Sequence, residues 1–209
     1  MAKKKIRHIA IAGNIGAGKT TLTKLLAKNF NWSPQLEEVD NNPYLNDFYD
    51  DMPRWSFNLQ IFFLNSRYQQ LIEIQNQDKP IIQDRTIYED AEILAPNLHS
   101  MGLMSTRDFN NYKSLYTSIV SQVQAPDLMI YMKASIPTLV DNIQKRGREY
   151  EDSIRLDYLK KLNEFYNSWI TKYEGKLLII DCDKLNFVDN KDDLATIYNK
   201  IDTELNGLF

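Results

Sequence analysis

The sequence is short of the residues that many protein sites require. It has one cysteine, Cys182, and two histidines, His8 and His99, in 209 residues. A single cysteine cannot close an internal disulfide, so we expect a reducing compartment, the cytoplasm. Because no Cys/His cluster lies near either histidine, neither a zinc site nor a histidine-based triad is expected. Chemistry must therefore come from carboxylates, arginine, lysine, hydroxyls and backbone amides.

A strong charge of one sign and long hydrophobic runs are also missing. The chain has 25 Lys+Arg and 28 Asp+Glu, for a net charge of -3. This balance argues against a surface for a nucleic acid polymer and against a polybasic membrane anchor. No apolar stretch reaches the roughly 18 residues that span a bilayer, and the N-terminus has no signal-peptide pattern. We expect neither a nucleic acid partner nor a membrane partner.

Short apolar runs alternate with helical patterns along the chain, without repeats or linkers. Strands are predicted at residues 6–12, 36–39, 80–83, 128–132 and 177–180. Helices are predicted at residues 20–30, 54–75 and 105–123, from 135, from about 153, and through Leu194, Ile197, Tyr198, Ile201 and Leu205. Strands separated by helices predict an α/β fold in one domain (residues 1–209), with a parallel sheet covered by helices on both faces.

Two of these helices have unusual surfaces. The helix at residues 54–75 is apolar nearly all round, and one face of a sheet would not cover that circumference. The helix at 105–123 opens with Ser105 and Asp108 in capping-box spacing and carries a row of aromatic and aliphatic residues. Two interpretations stay open: well-packed core helices, or a helix-bundle interface of a homodimer.

Residues 13–20 match the phosphate-loop pattern G-x-x-x-x-G-K-[ST] at every position, between a predicted strand and a predicted helix. The predicted nucleotide-binding residues are Gly13, Asn14, Ile15, Gly16, Ala17, Gly18, Lys19 and Thr20. Backbone N–H groups and the helix N-terminus would bind the triphosphate of ATP. Lys19 would bridge the terminal phosphates, and the Thr20 hydroxyl would hold Mg²⁺.

Three classes of protein use such a loop: switch GTPases, mechanical ATPases and small-molecule kinases. Residues 190–193 fit the guanine-selecting N-K-x-D, but the sequence has no D-x-x-G, so we interpret them as a charged helix start. Asp84-Arg85, at the end of the predicted third strand, favours a kinase, because ligands of parallel sheets bind at that edge. Asp84 could orient Mg²⁺ or an attacking hydroxyl, and Arg85 could neutralise phosphate.

Two further features fit a kinase. Lys145-Arg146-Gly147-Arg148, between two predicted helices, could form a mobile arginine lid over the phosphates (residues 145–153). Gln60 and Arg67 lie seven residues apart, on one face of the long helix. Gln60 offers both a donor and an acceptor, which suits a flat nucleobase.

Together these residues resemble the deoxynucleoside kinase family, from about residue 6 to residue 173, and the bacterial deoxyadenosine kinases are nearest. That likeness includes residues 37–43 (EEVDNNP) and 86–90 (TIYED). The resemblance implies a five-stranded parallel sheet, a phosphate loop and an arginine lid, usually in a homodimer. It also implies transfer of the terminal phosphate of ATP to the 5′-hydroxyl of a deoxynucleoside.

Residue roles follow from the same resemblance. Glu37 would be the base for the 5′-hydroxyl, and Asp84-Arg85-Thr86 matches the family's acidic-Arg-Ser. Gln60 would pair with the nucleobase; Arg67 and Asp90 would form the couple that accompanies purine and cytosine acceptance. Tyr49 and Glu151 would bind the 3′-hydroxyl, and Arg146 and Arg148 would be lid arginines. Asn142 replaces an expected arginine, and Leu94 replaces a frequent phenylalanine.

The sequence therefore predicts a salvage kinase that phosphorylates deoxyadenosine, with deoxyguanosine and deoxycytidine as alternatives. A nucleoside monophosphate kinase of the thymidylate type is the competing enzyme, because it shares the phosphate loop, Asp-Arg and lid. A nucleotide-binding switch without an acceptor substrate is the competing non-enzyme. Tyr112, Tyr116, Trp169 and Cys182 are interpreted as packing residues.

Overall fold

The computed structural model describes residues 6–37, 42–148, 151 and 154–207. Its sheet has five parallel strands in the order β2-β3-β1-β4-β5. The strands are β1 (His8–Gly13), β2 (Ser33–Gln35), β3 (Ile81–Asp84), β4 (Leu128–Lys133) and β5 (Leu177–Asp181). The predicted α/β class is confirmed, and four of the five predicted strands overlap the observed ones.

The helices connect these strands and cover both faces of the sheet. They are α1 (Lys19–Phe30), α2 (Leu45–Asp50), α3 (Met52–Asn76), α4 (Ile87–Glu89), a π-helical turn (Asp90–Leu94), α5 (Ala95–Ser100), α6 (Thr106–Val120), α7 (Ile136–Arg146), α8 (Leu156–Ile170) and α9 (Lys191–Asn206). No described helix is both long enough and apolar enough to cross a membrane.

Side-chain caps set several helix starts. Asp51 accepts a hydrogen bond from the Arg54 N–H, so α3 begins at Met52, two residues earlier than predicted. Ser105 caps α6 as predicted, accepting from the Asp108 N–H. Asn190 caps α9 by accepting from two backbone N–H groups of its first turn. Residues 190–193 are therefore a helix start, as interpreted from the sequence.

The second strand is where the sequence prediction was wrong. We expected it at residues 36–39, of which 38 and 39 lie outside the described residues, but β2 is Ser33–Gln35. Among the described strands it pairs only with β3, at the edge of the sheet. An edge strand needs no apolar sequence, and it tolerates Pro34 because one side of its backbone has no strand partner. The more apolar run that follows was therefore a misleading signal.

Side chains of the central strand alternate between two hydrophobic layers. Ile9 and Ile11 belong to a layer that includes α1, α7 and α9, whereas Ala10 and Ala12 belong to the layer that includes α2, α3, α5 and α8. All six residues of β1 are buried, which is typical of a parallel strand covered on both faces. β1 lies between β3 and β4, so the loop after it opens at the point where ligands bind in such sheets.

Candidate active site

A cavity of about 640 Å³ opens at the carboxyl ends of the strands. Residues 15–20 of the phosphate loop line one part of it, together with Cys182 and residues 185–189. Glu37, Arg85 and Gln60 line another part, with Phe48 and Phe63. The cavity therefore brings residues from the loops after β1, β2, β3 and β5 and from α3 to one place.

The phosphate loop joins β1 to α1, as predicted. Gly16 and Gly18 have φ of 83° and 89°, a left-handed conformation that favours glycine. A Cβ on Gly16 would lie 2.6 Å from the Leu139 carbonyl oxygen, so a side chain would also clash there. Gly13 and Asn14 are not among the lining residues; the Asn14 side chain instead donates to the Leu159 carbonyl of α8.

Lys19 is buried at the start of α1, with Nζ 3.0 Å from the Asn14 carbonyl oxygen. Burial and the neighbouring Arg85 lower the pKa of Lys19 to about 8. Anionic phosphate oxygens next to this ammonium would reverse that shift. The Lys19 ammonium is therefore well placed to bind the phosphates of a nucleotide.

Thr20, in the first turn of α1, contacts Asp84, the last residue of β3. The Thr20 hydroxyl donates to Asp84 Oδ2 at 2.5 Å, and burial raises the pKa of Asp84. Asp84 Oδ1 is buried and has no hydrogen-bond partner among the described residues. A hydroxyl and a carboxylate are ligands that Mg²⁺ accepts beside phosphate oxygens and water. The described residues contain no group of three or more His, Cys, Asp or Glu that could hold a metal.

Glu37 lies between two arginines. Its Oε1 is 2.7 Å from Arg67 Nη2 and 2.9 Å from Arg85 Nε. Burial alone would raise the pKa of Glu37, but Arg85, Arg67 and Lys19 outweigh it and lower that pKa to about 2. Glu37 is therefore a carboxylate at any working pH, and it faces the same cavity as Lys19.

A hydrogen-bonded chain behind Glu37 holds this arrangement. The Gln70 amide donates to the carbonyl of Leu36, the residue before Glu37, at 3.0 Å. Its oxygen accepts from Gln83 at 2.9 Å, and Gln83 in turn contacts His8 at 3.0 Å. Gln70 was not predicted as a site residue, because its partners come from distant parts of the chain.

The wall around Gln60 combines aliphatic and aromatic surface with the Gln60 amide. Gln60 is buried and its Oε1 has no hydrogen-bond partner in the described part of the chain. Leu59, Phe63, Leu94 and Tyr158 line the same cavity. A buried amide oxygen without a partner normally has one when the site is filled, and a nucleobase edge would supply it.

Arg67 and Asp90 come together as predicted, with 3.6 Å between Nε and Oδ2, but neither lines the cavity. Both side chains are completely buried. Burial raises the pKa of Asp90 to about 7 against the opposing effect of Arg67. Arg67 also contacts Glu37 directly, so it links Asp90 to the predicted base.

The remaining predicted residues come from α2 and from the end of α7 with the segment after it. Arg146, Arg148, Glu151 and Tyr49 all line the cavity. Arg146 donates to both oxygens of Glu151, and Arg148 Nη1 lies 3.5 Å from Glu151 Oε1. Residues 149, 150, 152 and 153 of the predicted lid lie outside the described residues. That this segment moves as a lid stays a prediction.

Asn142, in the place of an expected arginine, donates to the Gly16 carbonyl at 2.8 Å. Its role is therefore to support the phosphate loop from α7. Lys145 also lines the cavity, although its ammonium pairs with Asp141 at 2.7 Å. Cys182, interpreted as a packing residue, is half-buried and lines the same cavity beside the loop.

Comparison with known proteins identifies the family of this chain. The sequence model described as deoxynucleoside kinase matches residues 9–206. The chain belongs to the deoxynucleoside kinase family. It is 40% identical over 184 residues to a deoxyadenosine/deoxycytidine kinase of Bacillus subtilis (strain 168), with 85% of each chain covered. It is 37% identical over 198 residues to a deoxyguanosine kinase of the same organism, with 90% of this chain and 93% of the relative covered.

A solved deoxynucleoside kinase has the same fold. The deoxyadenosine kinase from M. mycoides, described with the products dCMP and dCDP bound, gives a TM-score of 0.84 at 30% identity. The match covers 94% of this chain and 99% of that chain. The resemblance inferred from the sequence is confirmed, and so is the five-stranded parallel sheet that it implied.

Two buried residues of this deoxynucleoside kinase were missed by sequence reasoning. Tyr166 accepts a hydrogen bond from Arg85 Nη1 at 2.9 Å, and its hydroxyl lies 2.7 Å from Glu89 Oε1. Glu89 belongs to the quoted motif at residues 86–90, and its spacing from Thr86 marks the capping box that the structure contains. Tyr166 carries no such signal, because 81 residues separate it from Arg85.

Proposed function

We propose that this deoxynucleoside kinase transfers the γ-phosphate of ATP to the 5′-hydroxyl of a deoxynucleoside, preferably deoxyadenosine, in nucleotide salvage. One observation carries the proposal: Lys19 of the phosphate loop and the Glu37 carboxylate line one cavity. A cation for the donor's phosphates thus faces an acceptor for the sugar's proton. The products are a deoxynucleoside monophosphate and ADP.

Glu37 would accept the proton of the 5′-hydroxyl. The alcohol oxygen forms a bond to the γ-phosphorus, the bond from that phosphorus to the bridging oxygen of ADP breaks, and the proton passes to the carboxylate. Phosphoryl transfer proceeds through a loose transition state, so catalysis depends mainly on positioning and charge neutralisation. A carboxylate whose pKa is about 2 fits that demand, because it aligns the hydroxyl and receives the proton late.

Mg²⁺ would neutralise charge on the donor's phosphates when bound. Thr20 and Asp84 would hold it, since their oxygens lie together and Asp84 Oδ1 has no other partner among the described residues. Arg85, Arg146 and Arg148 line the cavity as further cations. Arginines in such positions can account for much of the rate of phosphoryl transfer.

Base preference rests on the wall around Gln60 and on the relatives. Gln60 can present both an acceptor and a donor, and adenine needs that pair on one edge. Relatives named for deoxyadenosine, deoxycytidine and deoxyguanosine are all similar to this chain. We propose deoxyadenosine first, with deoxyguanosine and deoxycytidine as alternatives.

An activity panel tests this function. The purified chain is given ATP and Mg²⁺ with each of the four deoxynucleosides and, separately, each of their monophosphates. We expect deoxyadenosine to have the highest kcat/KM and the monophosphates to be inert. Turnover of thymidine monophosphate alone would support the thymidylate-type alternative, and nucleotide binding without any turnover would support a switch.

We also propose a homodimer built on α3 and α6. These helices contact each other, and α6 buries only Tyr112 within the described chain. Leu115 on α6 is 44% exposed, and Tyr116 and Ile119 are only partly buried. An exposed apolar helix face of this kind commonly pairs with a second copy.

The cytoplasm is the proposed site of the reaction. The sequence contains one cysteine, Cys182, and burial raises the pKa of its thiol to about 12. Such a thiol is unreactive at neutral pH. The chain therefore relies on no disulfide of its own, which suits a reducing compartment.

A further inference from the structure

The Tyr166 hydroxyl of α8 lies where the phosphate loop meets Arg85. It is 2.8 Å from the Gly13 carbonyl oxygen, 2.7 Å from Glu89 Oε1, and accepts from Arg85 Nη1 at 2.9 Å. Burial is complete, and it raises the pKa of Tyr166 well above its ordinary value, so the hydroxyl keeps its proton. One buried hydroxyl thus contacts the first loop residue, a carboxylate and the catalytic arginine.

Glu89 completes the same cluster from α4. Its Oε1 accepts from the Gly13 N–H at 3.1 Å and lies 3.6 Å from Arg85 Nη1. Its Oε2 accepts from the Thr86 N–H at 2.8 Å, next to Arg85 in the chain. Gly13 is therefore held by both its N–H and its carbonyl, through two side chains that also contact Arg85 or its neighbour.

Arg85 needs such support because its backbone is unusual. Its φ is 68°, in the left-handed region that residues other than glycine rarely adopt, so the backbone there is strained. The backbone N–H donates to Ile11 of β1 at 2.9 Å. Strain of this kind persists only where surrounding contacts define the conformation. Tyr166 and Glu89 supply those contacts at the side chain.

We propose that Tyr166 and Glu89 are positioning residues that fix Arg85 relative to the phosphate loop. The phosphate loop follows β1 and Arg85 follows β3, so their alignment requires a link between these two strands. The cluster provides that link, because Gly13 is the last residue of β1 and Arg85 follows β3. Tyr166 of α8 and Glu89 of α4 contact both residues. The inference rests on the proposed function, since it assigns Arg85 to the transferred phosphoryl group.

The test compares Tyr166→Phe with Tyr131→Phe. Tyr131 stacks on Tyr166 with 5.8 Å between ring centroids and lies in the same core, so it controls for loss of a neighbouring hydroxyl. We expect Tyr166→Phe to lower kcat about tenfold, as for loss of a hydrogen bond to a charged group, with the KM for nucleoside and ATP within about twofold. Tyr131→Phe should stay within about twofold of wild type throughout.

A double-mutant cycle with Arg85→Lys separates positioning from general stability. Rates are measured as single turnovers with enzyme in excess, followed over hours, so that slow variants are still measured. If Tyr166 acts through Arg85, Tyr166→Phe changes the rate less than twofold in the Arg85→Lys background. An equal loss in both backgrounds, or wild-type kcat in Tyr166→Phe, would overturn the proposal.

Glu89→Gln is a second test of the proposed positioning role. A glutamine has one acceptor oxygen, so it cannot accept from both Gly13 and Thr86 as the carboxylate does. We expect a loss of kcat like that of Tyr166→Phe, and a double variant no worse than the more severe single one. Additive losses would contradict a shared link. Failure of the wild-type protein to phosphorylate any deoxynucleoside would instead reject the proposed function.

Discussion

The Glu37 carboxylate forms an ion pair with the Arg85 guanidinium, with 2.9 Å between Oε1 and Nε. Arg67 contacts the same oxygen from the other side. The carboxylate is thus kept ionised by two groups that come from β3's end and from α3. The catalytic proposal depends on this arrangement, because a hydroxyl must replace part of these contacts when substrate binds.

Replacing Glu37 by Gln should leave nucleoside binding largely intact and reduce kcat. The expected loss is roughly 10²–10⁴-fold, which is typical of a general base. Rates are measured at saturating ATP and deoxyadenosine, and nucleoside affinity is measured by titration. Glu73→Gln is the matched control, because Glu73 lies exposed on α3 with Gln35 as its partner. Full activity of Glu37→Gln would remove Glu37 from the mechanism.

Replacing Gln60 by Ala should weaken nucleoside binding and leave ATP binding unchanged. The physical reason is that Gln60 Oε1 is buried, so the base must supply its hydrogen bond. We expect the Kd for deoxyadenosine to rise at least about tenfold, as measured by calorimetry. Gln77→Ala, at the exposed end of the same helix, should bind as wild type does. An unchanged nucleoside Kd in Gln60→Ala would contradict the assignment.

Donor binding should take up a proton near pH 8. Because the pKa of Lys19 is about 8 in the free protein, this ammonium loses its proton as the pH rises through that value. Bound phosphates stabilise the charged form, so binding raises the pKa and affinity falls at higher pH. ADP binding is measured by calorimetry about one pH unit below and above pH 8. The change in Kd gives the pH dependence of affinity, and repeating the titration in buffers of different ionisation enthalpy gives the proton uptake. Affinity independent of pH, without proton uptake, would refute this account.

Stability should fall between pH 6.5 and about 4 because of His8. Burial lowers the pKa of His8 from 6.5 to about 4, although Gln83 partly opposes the shift. The unfolded chain therefore binds a proton in this range that the folded chain does not, so stability is lost as the pH falls. The loss attributable to His8 is about 3 kcal/mol. Urea unfolding of wild type and His8→Asn across this range gives the free energy of unfolding at each pH. This free energy should depend less steeply on pH in the variant. Equal pH dependence in the two proteins would contradict the role of His8.

The proposed dimer should depend on the exposed face of α6. Leu115→Asp should elute as a monomer at micromolar concentration, whereas wild type elutes as a dimer, because a charge at the centre of an apolar interface is unfavourable. Leu156→Asp is the control, since Leu156 is 50% exposed on α8. A monomeric wild-type protein would exclude the dimer. Dimerisation of Leu115→Asp would place the interface elsewhere.

Local signals in the sequence were sufficient to place the phosphate loop in the fold. The phosphate loop is eight consecutive residues whose chemistry depends on neighbouring backbone, and the structure has it between β1 and α1. The position of Asp84 and Arg85 at the end of β3 was also predictable, and the end of a buried parallel strand lies at the edge of the sheet where ligands bind. Fold class followed from the alternation of strands and helices.

Long-range pairing was the part that the sequence did not reveal. β2 was misplaced because an edge strand with one partner carries little apolar pattern. Tyr166 and Gln70 were missed because their partners are far away along the chain, 81 residues for Tyr166 and Arg85, 34 for Gln70 and Leu36. Such contacts depend on the complete topology of the fold, and no periodicity or motif in the sequence predicts them.

The separation of the two halves of the cavity has an evolutionary consequence. The proposed donor contacts come mainly from the loops after β1 and β5, whereas the wall around Gln60 comes from α3, the π-helical turn and α8. A few substitutions on that wall can therefore exchange one nucleoside for another while the machinery that cleaves the donor stays intact. A lineage built on this scaffold can diversify its substrates without passing through an inactive ancestor.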